Sequence, residues 1–97
     1  MSSCTVITEF CKTDGEVLDY LVEWAAWLSG DSIASDTFIA DSGLTVDSDA
    51  DEGDDRRVWL SGGEVSHKYS VTNQIVTTSG RTAERSFTVK IVRARGD

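Results

Sequence analysis

The chain has no proline, two cysteines and one histidine among its 97 residues. Without proline, chain reversal falls to its eight glycines, at positions such as Gly15, Gly30, Gly43, Gly53, Gly62-Gly63 and Gly80. Cys4 and Cys11 are too few for a disulfide framework, and their spacing, with no neighbouring histidine, matches no zinc pattern. Two free thiols are the expectation, with a local disulfide in an oxidising setting as the alternative. His67 sits in a polar turn beside Lys68 with no evident residue to orient it, and Ser61 and Ser66 lie in no Gly-x-Ser-x-Gly context. No catalytic residue is therefore assigned, and no cofactor is expected. The longest apolar run, Trp24 to Leu28, is far short of the roughly 20 residues that span a bilayer. The N-terminus lacks a basic region followed by a long apolar one, so synthesis in a cytoplasm without a secretory signal is expected.

Charge is present in quantity and unevenly placed. The net charge of −8 disfavours a nucleic-acid partner, which would need a basic patch. Residues 1–30 carry five acids and one base; residues 31–55 carry nine acids and no base; residues 56–97 carry eight bases and three acids. Such polarity can set one subunit's acidic side against another's basic side, although ordinary solvation explains part of it.

Between the glycines the pattern is that of strands. Val17 to Trp24 alternates, with Leu18, Tyr20, Val22 and Trp24 on one face and Asp19 and Glu23 on the other. A helix over Glu16 to Leu28 competes, because Leu21, Trp24 and Leu28 fall at helical spacing. A strand ending in a turn over residues 25–30 is the preferred reading. Further strands are expected over Ser32 to Ala40, Val58 to Leu60, Lys68 to Thr78 and Arg85 to Arg93, with a turn at Ser79-Gly80-Arg81. Leu44 to Asp55 is weaker: a short strand at Thr45-Val46, then an acidic loop. Strands at this spacing predict an all-β, immunoglobulin-like, disulfide-free sandwich over residues 16–97, preceded by an extended N-terminal arm over residues 1–15. Trp24 and Trp59 are assigned to the core. Tyr69, beginning a long strand after a Gly-Gly turn, is placed where such folds tie back the preceding corner with a tyrosine hydroxyl.

Several pieces occur in an order that resembles a known family. They are Lys12-Thr13-Asp14-Gly15-Glu16-Val17-Leu18-Asp19, Tyr20, Glu23-Trp24, Leu28, Gly30-Asp31-Ser32-Ile33-Ala34-Ser35, Val58-Trp59-Leu60-Ser61-Gly62-Gly63, Tyr69-Ser70-Val71-Thr72-Asn73 and Thr77-Thr78-Ser79-Gly80-Arg81. Together they resemble small fiber-tail adaptor or immunoglobulin-like virion proteins of tailed phages, over roughly residues 12 to 92. The Trp-Leu-Ser-Gly-Gly…Tyr and Thr-x-x-Gly-Arg pieces are the most specific. Members commonly carry proline after the Lys12-like position, where this chain has Thr13. The resemblance implies a virion structural protein of tail or neck, made in the host bacterial cytoplasm. Its implied partners are other tail, neck or fiber proteins and further copies of itself, with no membrane. A surface capsid decoration or carbohydrate-binding module of the same fold is the alternative, and an enzyme is the least favoured class.

The run from Asp47 to Asp55 has part of the pattern of a calcium loop. Asp47, Asp49 and Asp51 open it as an EF-hand does, but the sixth position is Glu52 and the twelfth is Val58, where glycine and a bidentate glutamate belong. A solvated or partner-facing surface is the preferred account, which makes Asp49, Asp51, Glu52, Asp54 and Asp55 interface candidates. Trp27, near a turn, is another. Val6, Ile7 and Phe10 on the arm complete the set, as apolar residues with no obvious place in the two sheets.

Overall fold

In a computed structural model, residues 9–93 are described. They form seven strands and one helical turn: β1 (Glu9–Thr13), β2 (Leu18–Glu23), α1 (Ala25–Leu28), β3 (Ile33–Ala40), β4 (Leu44–Glu52), β5 (Asp55–Gly62), β6 (Lys68–Thr77) and β7 (Thr82–Val92). One sheet has the order β1-β7-β6-β3 and the other β2-β5-β4. β1 runs parallel to β7, and every other pairing is antiparallel. This is the immunoglobulin-like sandwich that the glycine spacing and alternation predict, with its first strand on the sheet that also holds the last. Cys11 is the one cysteine among the described residues, so no disulfide joins two of them across the sheets.

The core follows from the period of two. β6 buries Tyr69, Val71, Asn73, Ile75 and Thr77; β7 buries Phe87, Val89 and Ile91; β2 buries Tyr20 and Val22. Each fully buried Val, Leu or Ile contributes roughly 1.5–3 kcal/mol relative to exposure. The helical reading of Glu16 to Leu28 gives way to a strand and a single turn. That turn ends at Ser29, with φ of 50°, and Gly30, and it drops Leu28 into the core.

Four expectations change. Residues 9–13, set apart with the arm, form β1 and pair with Thr88 to Val92 of β7. Lys12 lies in this stretch and is buried, which its charge concealed. Trp59 is not a core residue: β5 turns Arg56, Val58 and Leu60 inward, so Trp59 stands half-buried on the outer face opposite Asp19 and Ser48. The acidic stretch is not a loop: β4 continues through Glu52, with a bulge between Val46 and Ser48, and reverses at Gly53-Asp54 into β5. Asp and Glu favour strands poorly, and here cross-strand arginines override that preference, with Asp51 opposite Arg56. Cys11, finally, is not a free thiol; Cys4 lies outside the described residues.

Candidate functional site

The residues that carried the resemblance meet one another in the fold. The backbone N–H of Glu64 donates to the Tyr69 hydroxyl at 3.0 Å, forming the corner tie expected of Tyr69. Gly43 and Gly63 lie against the same ring at positive φ: a Cβ on Gly43 would stand 2.9 Å from Tyr69 Cε1, and one on Gly63 would stand 2.6 Å from Ile91. Only glycine leaves the ring its space. At this end Lys12 donates from Nζ to the carbonyls of Gly62 and Thr13, each at 2.7 Å, and so joins β1 to the end of β5 in the other sheet. Burial holds its pKa below the ordinary lysine value, against the opposing charges of Glu16, Asp14 and Asp47.

A second group ties α1 to the β6–β7 turn. Asp31 accepts from the hydroxyls of Ser79 at 2.5 Å and Thr78 at 3.1 Å, from the Ser32 N–H at 2.8 Å, and from Arg81 through Nε and Nη2. Arg81 also donates to the Leu28 carbonyl and covers the ring of Trp27 at 4.3 Å. The Ser79 hydroxyl above all, with Thr77, the Ser32 backbone and Arg81, holds the Asp31 carboxyl well below the usual range, against a push upward from burial. The Gly30-Asp31-Ser32 and Thr77-Thr78-Ser79-Gly80-Arg81 pieces are thus two halves of one clamp.

Sequence reasoning missed a third group, a polar chain inside the sandwich. Trp24 Nε1 donates to Asn73 Oδ1 at 2.8 Å; Asn73 Nδ2 donates to Asp36 at 3.2 Å; Asp36 accepts from Arg56 Nε at 3.1 Å; Arg56 also binds Asp51 and the carbonyls of Gly53 and Asp55. Asp36 stands on one sheet and Arg56 on the other, so the chain crosses the interior. One signal was available: Asn73 sits between Val71 and Ile75 in the inward row of β6.

The interface candidates separate into groups. Among the acids, Asp51 is bound by Arg56, Glu52 pairs with Arg57, and Asp55 accepts from the Trp24 N–H at 3.3 Å; Asp49 and Asp54 are exposed. Arg57 also pairs with Asp19, and these two partners raise its pKa while it lowers that of Glu52. Much of the opposition between acidic and basic halves is therefore satisfied within one chain. Trp27 is half-buried between Arg81 and Trp24. Asp47 accepts from Ser61 at 2.8 Å and, like Asp49 and Asp51, lies along extended β4. Among the described residues no three His, Cys, Asp or Glu side chains form a metal-holding group. His67 is exposed near Glu64 and the Val65 carbonyl.

Phe10, on β1, is 37% exposed. Its ring packs against Tyr20 at 5.1 Å and Phe87 at 5.5 Å, at the side where the edge strands β1 and β2 face each other. A groove of 240 Å³ opens there, lined by Phe10, Leu21, Val22, Glu23, Arg85, Ser86 and Phe87. Arg85 closes one end, donating to the Glu23 carbonyl at 2.5 Å and lying over Trp24 at 4.5 Å. Val6 and Ile7 lie outside the described residues.

Residues 12–90 match the sequence model of a family described as Podophage GP4 fiber-tail adaptor protein gp77. No curated protein matches the chain. The matched span begins at buried Lys12 and contains the Tyr69 corner, the Asp31 clamp and the interior polar chain.

Proposed function

The chain belongs to the podophage fiber-tail adaptor family, and from that premise we propose that it is a non-enzymatic structural protein of a phage particle, seated at the tail or neck. It binds other tail, neck or fiber proteins there, together with further copies of itself, and uses no cofactor. The observation that carries the reading is the division of labour in the matched span. Its characteristic residues bind one another in the interior or at the turns, which leaves binding to surfaces the core does not need. Those surfaces are the outer edge of β4 with Asp49, the turn at Asp54 and the groove beside Phe10, with Val6 and Ile7 as the further candidates that the sequence offers. The residual negative charge suits partners with basic faces and sets orientation rather than affinity.

Reconstruction of the assembled particle tests this. The chain is expected as a ring or collar at the tail vertex, in contact with adaptor or fiber subunits. Density distributed over the capsid shell would overturn the adaptor reading in favour of a decoration protein.

A further inference from the structure

Strands β3 and β4 are the open edges on one side of the sandwich: among the described strands β3 pairs only with β6, and β4 only with β5. β6 separates β3 from β7 and β1, the strands that adjoin residues 94–97 and 1–8. The two edges differ in how they are guarded. β4 carries a bulge between Val46 and Ser48 and the acids Asp47, Asp49, Asp51 and Glu52, features that keep an edge from pairing with another chain. From Ser35 to Ala40, β3 has no bulge and one charged residue. That residue, Asp36, turns inward to Arg56 and Asn73, while Ile39 stands 58% exposed on the outer face. An unguarded edge of this kind is a template for an added strand, held by backbone hydrogen bonds.

We propose that the β3 edge accepts an extended segment of another tail or fiber protein, one with lysine or arginine at alternate positions. The inference rests on the adaptor reading and gives the chemistry of one partner. Residues paired across two strands share a face, so Asp36, Phe38 and Ala40, opposite Ile75, Asn73 and Val71, look into the sandwich, and Thr37 and Ile39 look out. In the facing sheet Asp49 and Asp51, opposite Val58 and Arg56, lie on the inward side of β4. A strand added beside β3 turns every second side chain toward these acids and the others outward beside Thr37 and Ile39. Asp51 is already bound by Arg56, whereas Asp49 is exposed with no ion pair among the described residues. A lysine or arginine on the inner row can lay its apolar stem against Phe38 and bring its charge to Asp49. The stretch from Ser35 to Ala40 offers about 20 Å of edge at about 3.3 Å per residue, the length of an ordinary strand. A second copy suits this edge poorly. Pairing β3 to β3 about a two-fold axis sets the Asp49 and Asp51 carboxylates of both chains side by side, in a chain whose net charge is already −8.

The test places a benzophenone photocross-linker at position 39 of the full-length chain in assembled particles and identifies the joined peptides by mass spectrometry. The expected product joins position 39 to a different tail or fiber protein, within a segment that carries lysine or arginine at alternate positions. Asp49→Lys should reduce that product about tenfold. Asp14→Lys, an equal change of charge at the exposed turn between β1 and β2, should leave it unchanged. A product joined to a second copy of the chain would overturn the proposal. So would a partner segment without the alternate bases, a yield indifferent to Asp49→Lys, or no product from particles that hold the chain at its normal level; the adaptor reading would stand in each case. Absence of the parent chain from particles would overturn the adaptor reading itself. Should the cross-linker at position 39 prevent incorporation, the same group at position 37, on the same face, reads the contact. If neither variant is incorporated, amide spectra of the parent chain read the edge in solution, with a synthetic peptide of alternating lysine and valine as the probe. Shifts confined to residues 35–40 and 49–51, and lost when the peptide backbone is N-methylated, support the proposal. Binding that survives N-methylation, or no binding at millimolar peptide, overturns it.

Discussion

Trp24 and Asn73 meet inside the sandwich, the indole N–H donating to the amide oxygen at 2.8 Å while both side chains are almost wholly buried. The bond joins the end of β2 in one sheet to the middle of β6 in the other. Asn73 Nδ2 is taken up by Asp36 and the Thr37 carbonyl, each at 3.2 Å, so the amide is satisfied at both ends. Replacing Asn73 by alanine strands the Trp24 N–H in an apolar interior and removes a donor from Asp36. The expected loss is about 3 kcal/mol in urea unfolding, since each orphaned buried group costs about 1–3 kcal/mol. A loss below about 0.5 kcal/mol would show that the polar chain does not hold the sheets together.

Tyr69 gives a smaller effect with a sharper attribution. Tyr69→Phe keeps the ring against Gly43 and Gly63 and removes only the acceptor for the Glu64 N–H. A loss of about 1 kcal/mol is expected, typical of one hydrogen bond. An unchanged unfolding midpoint would leave the corner bond with no energetic role.

The contrast between β6 and β4 shows what the sequence could convey. β6 alternates without interruption, so its inward face, including the out-of-place Asn73, is readable locally. The acids of β4 have no strand propensity of their own; their pairing is set by Arg56 and Arg57, on a neighbouring strand whose local pattern predicts only Val58 to Leu60. Val58-Trp59-Leu60 is apolar throughout, so local pattern cannot say which residue turns outward. Arg56 inside the sandwich settles it. Lys12 was unreadable for a related reason: a buried lysine needs acceptors, and one of its two is the Gly62 carbonyl, 50 residues away. Of the candidate surfaces, the exposed acids were legible as composition. The groove was not, because residues far apart in the chain, Phe10, Leu21 and Phe87, meet there only in the fold.

Tyr20 predicts an alkaline limb. Burial, reinforced by the charges of Glu16 and Asp19, pushes its pKa from 10.0 up to about 12. The folded chain keeps the phenolic proton where the unfolded chain loses it, so stability is complete below pH 10 and is lost as pH rises toward about 12. The loss is expected to be about 2–3 kcal/mol, from about 1.4 kcal/mol per pKa unit. Lys12 works in the opposite sense, since its lowered pKa favours the folded chain as pH rises toward 10.5. Tyr20→Phe isolates the phenol. Its hydroxyl is buried without a hydrogen-bond partner among the described residues, so the variant should be at least as stable at neutral pH and should lose less in base. An unchanged alkaline slope would refute the assignment.

Asp31 governs the acid side. Its folded pKa lies well below the ordinary 3.8, so the clamp contributes stability that is present above that value and lost as pH falls through the folded one. Asp31→Asn should lower the melting temperature at pH 7 and flatten the acid limb below pH 3.8. If wild type and variant lose stability in parallel as acid is added, the clamp carries no charge-dependent stability.

Two truncations separate the role of the N-terminal segment from that of β1. Removing residues 1–8 leaves Phe10 against Tyr20 and Phe87, Lys12 on the Gly62 carbonyl, and all five β1–β7 pairs in place. That chain should fold with a melting temperature within a few degrees of the parent and, if residues 1–8 act as a connector, should fail to enter particles. Removing residues 1–13 takes β1 as well. It uncovers one side of the aromatic cluster, leaves the Gly62 carbonyl without its lysine and frees a further stretch of β7 edge, with a combined cost on the order of 3 kcal/mol or more. A domain of this size holds roughly 5–15 kcal/mol in total, so this chain should be largely unfolded at 37 °C or prone to aggregate through its open edge. Circular dichroism and particle composition, measured on both chains, give the answer. Normal incorporation of the shorter truncation would remove residues 1–8 as a connector, and equal stability of the two would show that β1 adds nothing to the sandwich.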